Sequence, residues 1–243
     1  MAIIPNITRA EYDALPGLNW SRLKRGIGRT AAHIAAPAGA DKAAYKFGRA
    51  FHHAVLQPDA FSTWEIVPGK TTTKAGAITE SERNDIYSMT AAAAALHEGK
   101  LSHIECGVTW KREGRECKAL IDGIWDESFL FDLKSTQNAE PGAFKGEIFK
   151  FKYHGQCAWY LEGLAANGMH LGGATLLPVE KLSPYASGFY FLEDGWIDLG
   201  RSLVNEALAT LSEGATCYGR RDLDVPDWAQ PGLTVNEDGE IDL

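Results

Sequence analysis

Over the first 60 positions, apolar residues recur at three- and four-residue intervals, the spacing that lines one face of an α-helix. The pattern predicts helices at about 8–15, at 19–27, from about 30 onward, and at roughly 41–56. Pro37 and Gly39 separate the last two, and Pro58 stops the last. In that last helix Ala44, Phe47, Phe51 and Val55, with Ala54 beside them, form one apolar face. A strand is expected at 63–67, and the polar, glycine-containing stretch 71–77 reads as a loop. Another helix is expected over 80–97, closed by Gly99, a favourable residue just past a helix end.

Beyond residue 100 the period shortens. Runs at 103–111, 116–126 and 128–135 read as strands, joined by Glu113-Gly114 and Asp126-Glu127 turns, which predicts an antiparallel meander. A long helix at about 148–166, strands at 174–180 and 188–192, and a last helix at about 194–213 complete the order. Such a series makes a mixed α/β layer architecture. A chain of 243 residues can bury a substantial core. We expect a single domain over 1–221, with a helical part at 1–60 and a sheet-forming core at 100–192, and an acidic, irregular tail at 222–243.

A net charge of −8 argues against a nucleic-acid partner until it is located. The segment 222–243 holds seven acidic residues and no Lys or Arg; without it the net charge is −1, and residues 1–50 carry +5. Phosphate contact needs local positive charge rather than a basic average. Arg22, Lys24, Arg25 and Arg29 are therefore a candidate DNA-contacting surface, with a solvated helix face as the equal alternative. No apolar run reaches the roughly 18–20 residues of a membrane span. The first residues lack the basic-then-apolar order of a signal peptide, so a cytoplasmic location is expected. The four cysteines form no CxxC pair and read as buried reduced thiols rather than a zinc knuckle.

The chemistry concentrates in Ile121–Lys134. Asp132 and Lys134 lie two apart on a predicted strand, so their side chains leave one face while Phe131 and Leu133 point the other way. The short turn before that strand returns Asp122 to the side of Asp132. Two carboxylates and a lysine suit a divalent metal, held by hard oxygen ligands, with the ammonium orienting or helping to deprotonate a water. Taken alone, Asp-x-Lys is more often a solvated ion pair. Gly48 stands one helical turn before His52 and leaves space beside the imidazole; adjacent His52 and His53 cannot share a face, so at most one belongs to the site. Gln156 and Tyr160 share a face of a later helix, which alone is an ordinary amphipathic pattern.

In this order, Gly48-x-x-x-His52, Asp122, Asp132-x-Lys134 and Gln156-x-x-x-Tyr160 resemble the RecB-like branch of the PD-(D/E)XK nuclease superfamily. More closely, the chain resembles the exodeoxyribonuclease VIII-like family of phage and prophage recombination nucleases. Ser21-Arg22-Leu23-Lys24 and residues 47–58, 117–136 and 153–161 carry the likeness, which extends weakly to 226–229. The resemblance implies a mixed central sheet flanked by helices and a metal shell of His52, Asp122, Asp132 and the Leu133 carbonyl. It implies Lys134 as catalytic lysine, and Gln156 and Tyr160 as a supporting pair that approaches the DNA backbone. It further implies Mg²⁺, replaceable by Mn²⁺, and 5′-to-3′ digestion of double-stranded DNA with free ends. The 3′ single strands would pass to a single-strand annealing protein, and processive relatives form homo-oligomeric rings. Leu120 stands where an arginine is frequent in relatives, and His53 is an additional histidine. Some similar nucleases hold an iron–sulfur cluster on four cysteines that include a tight C-terminal group; here only Cys217 lies near the end. A nuclease of other polarity, an endonuclease, or a non-catalytic DNA-binding module of the same fold are the alternatives. Signatures of unrelated hydrolases, such as Gly-x-Ser-x-Gly or His-Glu-x-x-His, are absent.

Overall fold

The computed structural model describes residues 1–37, 43–70, 72, 74–218, 234–235 and 241–242. The N-terminal part holds β1 (Ala2–Ile4), α1 (Arg9–Ala14), α2 (Trp20–Leu23) running into a 3-10 turn (Lys24–Gly26), α3 (Ala31–Ala35), α4 (Ala43–Leu56) and α5 (Pro58–Ser62). There follow β2 (Glu65–Val67), β3 (Ala77–Thr79), α6 (Glu80–His97), β4 (Leu101–Ser102), β5 (Cys106–Arg112), β6 (Arg115–Ile121), β7 (Gly123–Trp125) and β8 (Phe129–Thr136). The order ends with α7 (Pro141–Phe151), α8 (Tyr153–Ala166), β9 (Gly173–Glu180), β10 (Tyr190–Leu192), α9 (Asp194–Glu213), β11 (Thr234–Val235) and β12 (Ile241–Asp242). Among the described residues no helix is long and apolar enough to cross a membrane.

The main sheet runs β10-β9-β8-β7-β4 and is mixed, because β8 and β9 pair in parallel while its other pairs are antiparallel. A second sheet runs β1-β5-β6. The alternation along β8 sorts its side chains between two cores. Leu130 joins Trp110, Trp159, Leu176 and Val204 on the side of α8 and α9. Phe131 and Leu133 join Phe51, Ile86, Met89 and Leu177 on the side of α4 and α6. Helices thus cover both faces of the mixed sheet, as expected.

The expected meander is present in connectivity but split in space. β5 and β6 pair from Cys106↔Ile121 to Arg112↔Arg115, whereas β7 and β8 belong to the other sheet. The break falls at Asp122, between the end of β6 and the start of β7. A continuous run of strand-favouring residues hides such a fork, because each half keeps its own pairing.

Other boundaries differ for identifiable reasons. Pro58 opens α5 rather than merely ending α4, since a first-turn proline forfeits no helix hydrogen bond. The single helix expected at 148–166 is two, α7 and α8, divided at Lys152, which adopts a left-handed conformation (φ 60°). The start of α7 is set by Glu140, whose side chain accepts from the Ala143 N–H, and by Pro141. β1 and β3 were not anticipated; each is three residues long, too short for a periodicity to register. Within the tail expected to be irregular, β11 and β12 pair antiparallel. Residues 38–42, covering the expected break at Gly39 and the start of the expected fourth helix, 71 and 73 of the expected loop, and 222–233, 236–240 and 243 of the expected tail lie outside the described residues. Cys106, Cys117 and Cys157 are buried free thiols, while Cys217 is exposed and departs from the buried state expected for all four.

Two glycines set how closely the helices approach. A Cβ at Gly155 of α8 would lie 2.3 Å from the Trp20 ring, so the glycine lets α2 sit down on α8. A Cβ at Gly200 of α9 would lie 2.2 Å from the His154 carbonyl oxygen. Backbone cannot yield as a flexible side chain does, so Gly200→Ala must push α9 off α8. We expect a loss of about 1–3 kcal/mol in urea unfolding; an unchanged midpoint and slope would contradict this packing.

Candidate active site

The fork at Asp122 lets side chains from both layers meet. Asp122 reaches His52 of α4 with Oδ1, 3.4 Å from Nδ1, and accepts the Leu133 N–H at Oδ2 over 2.7 Å. Asp132 and Lys134 leave β8 on one face and pair with each other, Lys134 Nζ against Asp132 Oδ2. From α8, Gln156 Nε2 donates to Asp132 Oδ1 at 2.8 Å and to Tyr160 Oη at 3.1 Å. Asp132 is 1% exposed and Asp122 9%, so these carboxylates depend on their partners.

The structure therefore brings together His52, Asp122, Asp132, Lys134, Gln156 and Tyr160, with the Leu133 peptide tied to Asp122. His53 stands apart and accepts a hydrogen bond from Trp64 Nε1 at 3.1 Å. At Gly48 the atom nearest a Cβ would be Ser135 Oγ, at 3.6 Å, an ordinary contact. That glycine therefore faces β8 at Ser135, the residue after Lys134.

Two residues were missed from sequence. Glu105, just before β5, adopts a left-handed conformation (φ 48°) and donates its N–H to the Asp122 carbonyl at 3.3 Å. Ligand atoms of His52, Glu105 and Asp122 lie within 4.8 Å of one another. The one available signal was a lone acid in the otherwise uncharged run Ile104-Glu105-Cys106-Gly107-Val108. Tyr153, the first residue of α8, places its ring 4.7 Å from Lys134 Nζ. Among the proposed basic surface residues, Arg25 is diverted: its guanidinium donates to the carbonyls of Ile34, Ala36 and Pro37 at the end of α3. Arg22 and Arg29 are exposed and Lys24 is half-buried.

Burial opposes ionisation throughout, and the neighbours decide each outcome. Burial and the Asp122 charge push Glu105 up to about 7. Burial likewise raises Asp132, against the pull of Lys134. At Asp122 burial is outweighed by His52, Lys134 and the Leu133 N–H, which hold it below the usual carboxylate value. Burial is also outweighed at His52, raised by Asp122, and at Lys134, raised by Asp132, Asp122 and Tyr153. An imidazole and two carboxylates this close form a donor set suited to a divalent cation, whose charge would offset the burial and the Asp122 repulsion that raise Glu105.

Mixed sheet, flanking helices and an Asp…Asp-x-Lys centre at a strand fork define the PD-(D/E)XK fold. Residues 29–216 match the profile of a PDDEXK-like domain of unknown function (DUF3799), and the chain belongs to that family. Its fold is similar to the crystal structure of a "Putative exonuclease" from Eubacterium rectale, with a TM-score of 0.65 and 13% identity over 91% of this chain and 96% of that one. SSO0001 aligns at a TM-score of 0.34 and 12% identity over 79% of this chain and 84% of that one, too distant to support an argument. None of the curated proteins matches the sequence.

The titrations predict how metal-free stability depends on pH. Glu105 rises from 4.5 to about 7 on folding, so the folded state keeps a proton the unfolded chain loses, and stability falls as pH climbs through that window. Raised Asp132 acts in the same direction. Raised His52 contributes stability that is present below 6.5 and lost above its folded pKa. Lowered Asp122 contributes a constant amount above 3.8. A cation binds the deprotonated set, so its thermal upshift should be larger at about pH 8 than at about pH 6. An upshift no larger at the higher pH would reject this cluster as the cation's seat.

Proposed function

We propose that this protein is an Mg²⁺-dependent exodeoxyribonuclease, with Mn²⁺ able to substitute, acting on double-stranded DNA with free ends. The observation that carries this reading is the convergence of His52, Glu105, Asp122, Asp132 and Lys134 at the strand fork. His52, Glu105 and Asp122 hold the cation, with Asp132 and the Leu133 carbonyl as the further ligands that the resemblance to exodeoxyribonuclease VIII-like nucleases implies. When bound, the cation polarises the scissile phosphate and favours ionisation of the attacking water.

The protein's own groups do the positioning. Asp132 and Asp122 favour the charged form of Lys134, which can orient the water and offset charge on the phosphate. Gln156 fixes the Asp132 carboxylate, and Tyr160 fixes Gln156. We assign 5′-to-3′ polarity, delivery of 3′ single strands to an annealing protein and a homo-oligomeric ring on the same resemblance.

End-labelled linear and circular duplexes incubated with Mg²⁺ test the reading. Linear duplex should shorten from its 5′ ends while closed circles persist. Shortening from 3′ ends would reject the polarity, cutting of circles would reject exonuclease action, and no cleavage with Mg²⁺ or Mn²⁺ would reject the activity.

A further inference from the structure

Several buried or half-buried cations among the described residues are occupied within the protein. Lys46 gives two hydrogen bonds to Glu82, Lys118 donates to the carbonyls of Tyr12, Asp13 and Leu15, and Arg112 serves Glu162 and Asn205. Arg25 is taken up by the end of α3. Lys24 differs. Its Nζ has one long contact, 3.5 Å to the Phe151 carbonyl, and among the described residues it has no ion pair.

Its position is built from several directions. Leu18 is tied to β6 through Leu18 N–H to Glu116 O at 2.9 Å and Lys118 N–H to Leu18 O at 2.7 Å. Asn19 caps α2 by accepting the Arg22 N–H at 2.9 Å. Trp20 packs where α8 has Gly155. These three contacts drive the end of α2 towards the α7–α8 junction, and Lys24 reaches the last residue of α7 there. Lys152 is the junction residue, and Tyr153 beyond it carries Lys134 over its ring. Lys24, Lys134 and Lys152 are close enough to repel one another, and among the described residues Lys134 alone of the three forms an ion pair, with Asp132. Burial and the charges of Lys134 and Lys152 lower the Lys24 pKa against the weaker pull of Asp132, the mark of crowded ammonium groups.

We propose that Lys24 and Lys152 grip a backbone phosphate of the DNA strand next to the scissile one. The ligand is a phosphodiester anion, and its charge offsets the repulsion among the three ammoniums. This inference rests on reading the site as a DNA phosphodiesterase. It singles out Lys24 from the basic N-terminal segment, adds Lys152 from the start of α8, and sets aside Arg25, whose guanidinium is taken up by α3.

Binding of a labelled linear duplex in EDTA, across a salt series, reads the contact without hydrolysis. Lys24→Gln combined with Lys152→Gln should flatten the plot of log affinity against log salt by about 0.9 for one lost phosphate contact. Lys24→Arg should keep the wild-type slope, and unchanged melting temperatures would confirm that folding is intact. Single neutral methylphosphonates walked along the strand locate the phosphate. One position beside the scissile bond should weaken wild-type binding and have no effect on the double variant. An unchanged slope in the double variant, or an equal methylphosphonate effect in both proteins, overturns the clamp while leaving cleavage of end-labelled DNA to judge the nuclease. Wild-type protein that neither binds nor cleaves DNA overturns both.

Discussion

Asp132→Asn should reduce DNA hydrolysis by about three orders of magnitude or more while the protein still folds. Asp132 links β8 to α8, with Lys134 on one oxygen and Gln156 on the other, and burial together with the Asp122 charge raises its pKa. The amide keeps the shape and can still accept from Gln156, but it offers no negative charge to a cation or to Lys134. Alanine is the harsher change. It leaves a nearly buried ammonium unpaired, which costs about 3–5 kcal/mol, so inactivity of Asp132→Ala would confound lost chemistry with lost fold. The informative comparison is cleavage per folded molecule, with the folded fraction read from near-ultraviolet circular dichroism. Wild-type cleavage by folded Asp132→Asn would remove this carboxylate from the mechanism.

Glu105→Gln carries the second large effect. If Glu105 is a ligand, its amide should lower Mg²⁺-dependent cleavage by about 100-fold or more and abolish the extra thermal upshift that Mg²⁺ gives at high pH. It should also stabilise the metal-free protein above neutral pH. There the wild-type side chain has lost its proton in a buried place beside Asp122, and glutamine has no charge to bury. Lower activity with higher metal-free stability is the signature of a ligand, because a packing defect would lower both. A drop in cleavage with the Mg²⁺ upshift intact would make Glu105 structural instead.

Much of this arrangement was legible in the chain. The helix from Glu80 to His97 has a Thr79–Glu82 capping box at its start and was expected to within its observed ends. The two-residue period placed Asp132 and Lys134 on one face, and β8 does so, with Phe131 and Leu133 in the opposite core. The split of the long helix at Lys152 was not legible. A left-handed lysine leaves no compositional trace, and the apolar spacing continues across it. Glu105 was hidden for a related reason, since a strand pattern assigns each residue a face and this one stands in a turn before its strand begins.

Local physics, then, determined which segments fold as helix or strand and which charged residues ride on them, because period and capping act over a few neighbours. Tertiary structure alone decided where the strands part. The fork at Asp122 exists because β6 and β7 satisfy different partners, and it brings together an imidazole from α4, a carboxylate from the turn before β5 and a lysine from β8. It also decided which cations are occupied within the protein and which stand ready for a phosphate. Such a choice depends on burial and charge contributed by segments far apart in sequence.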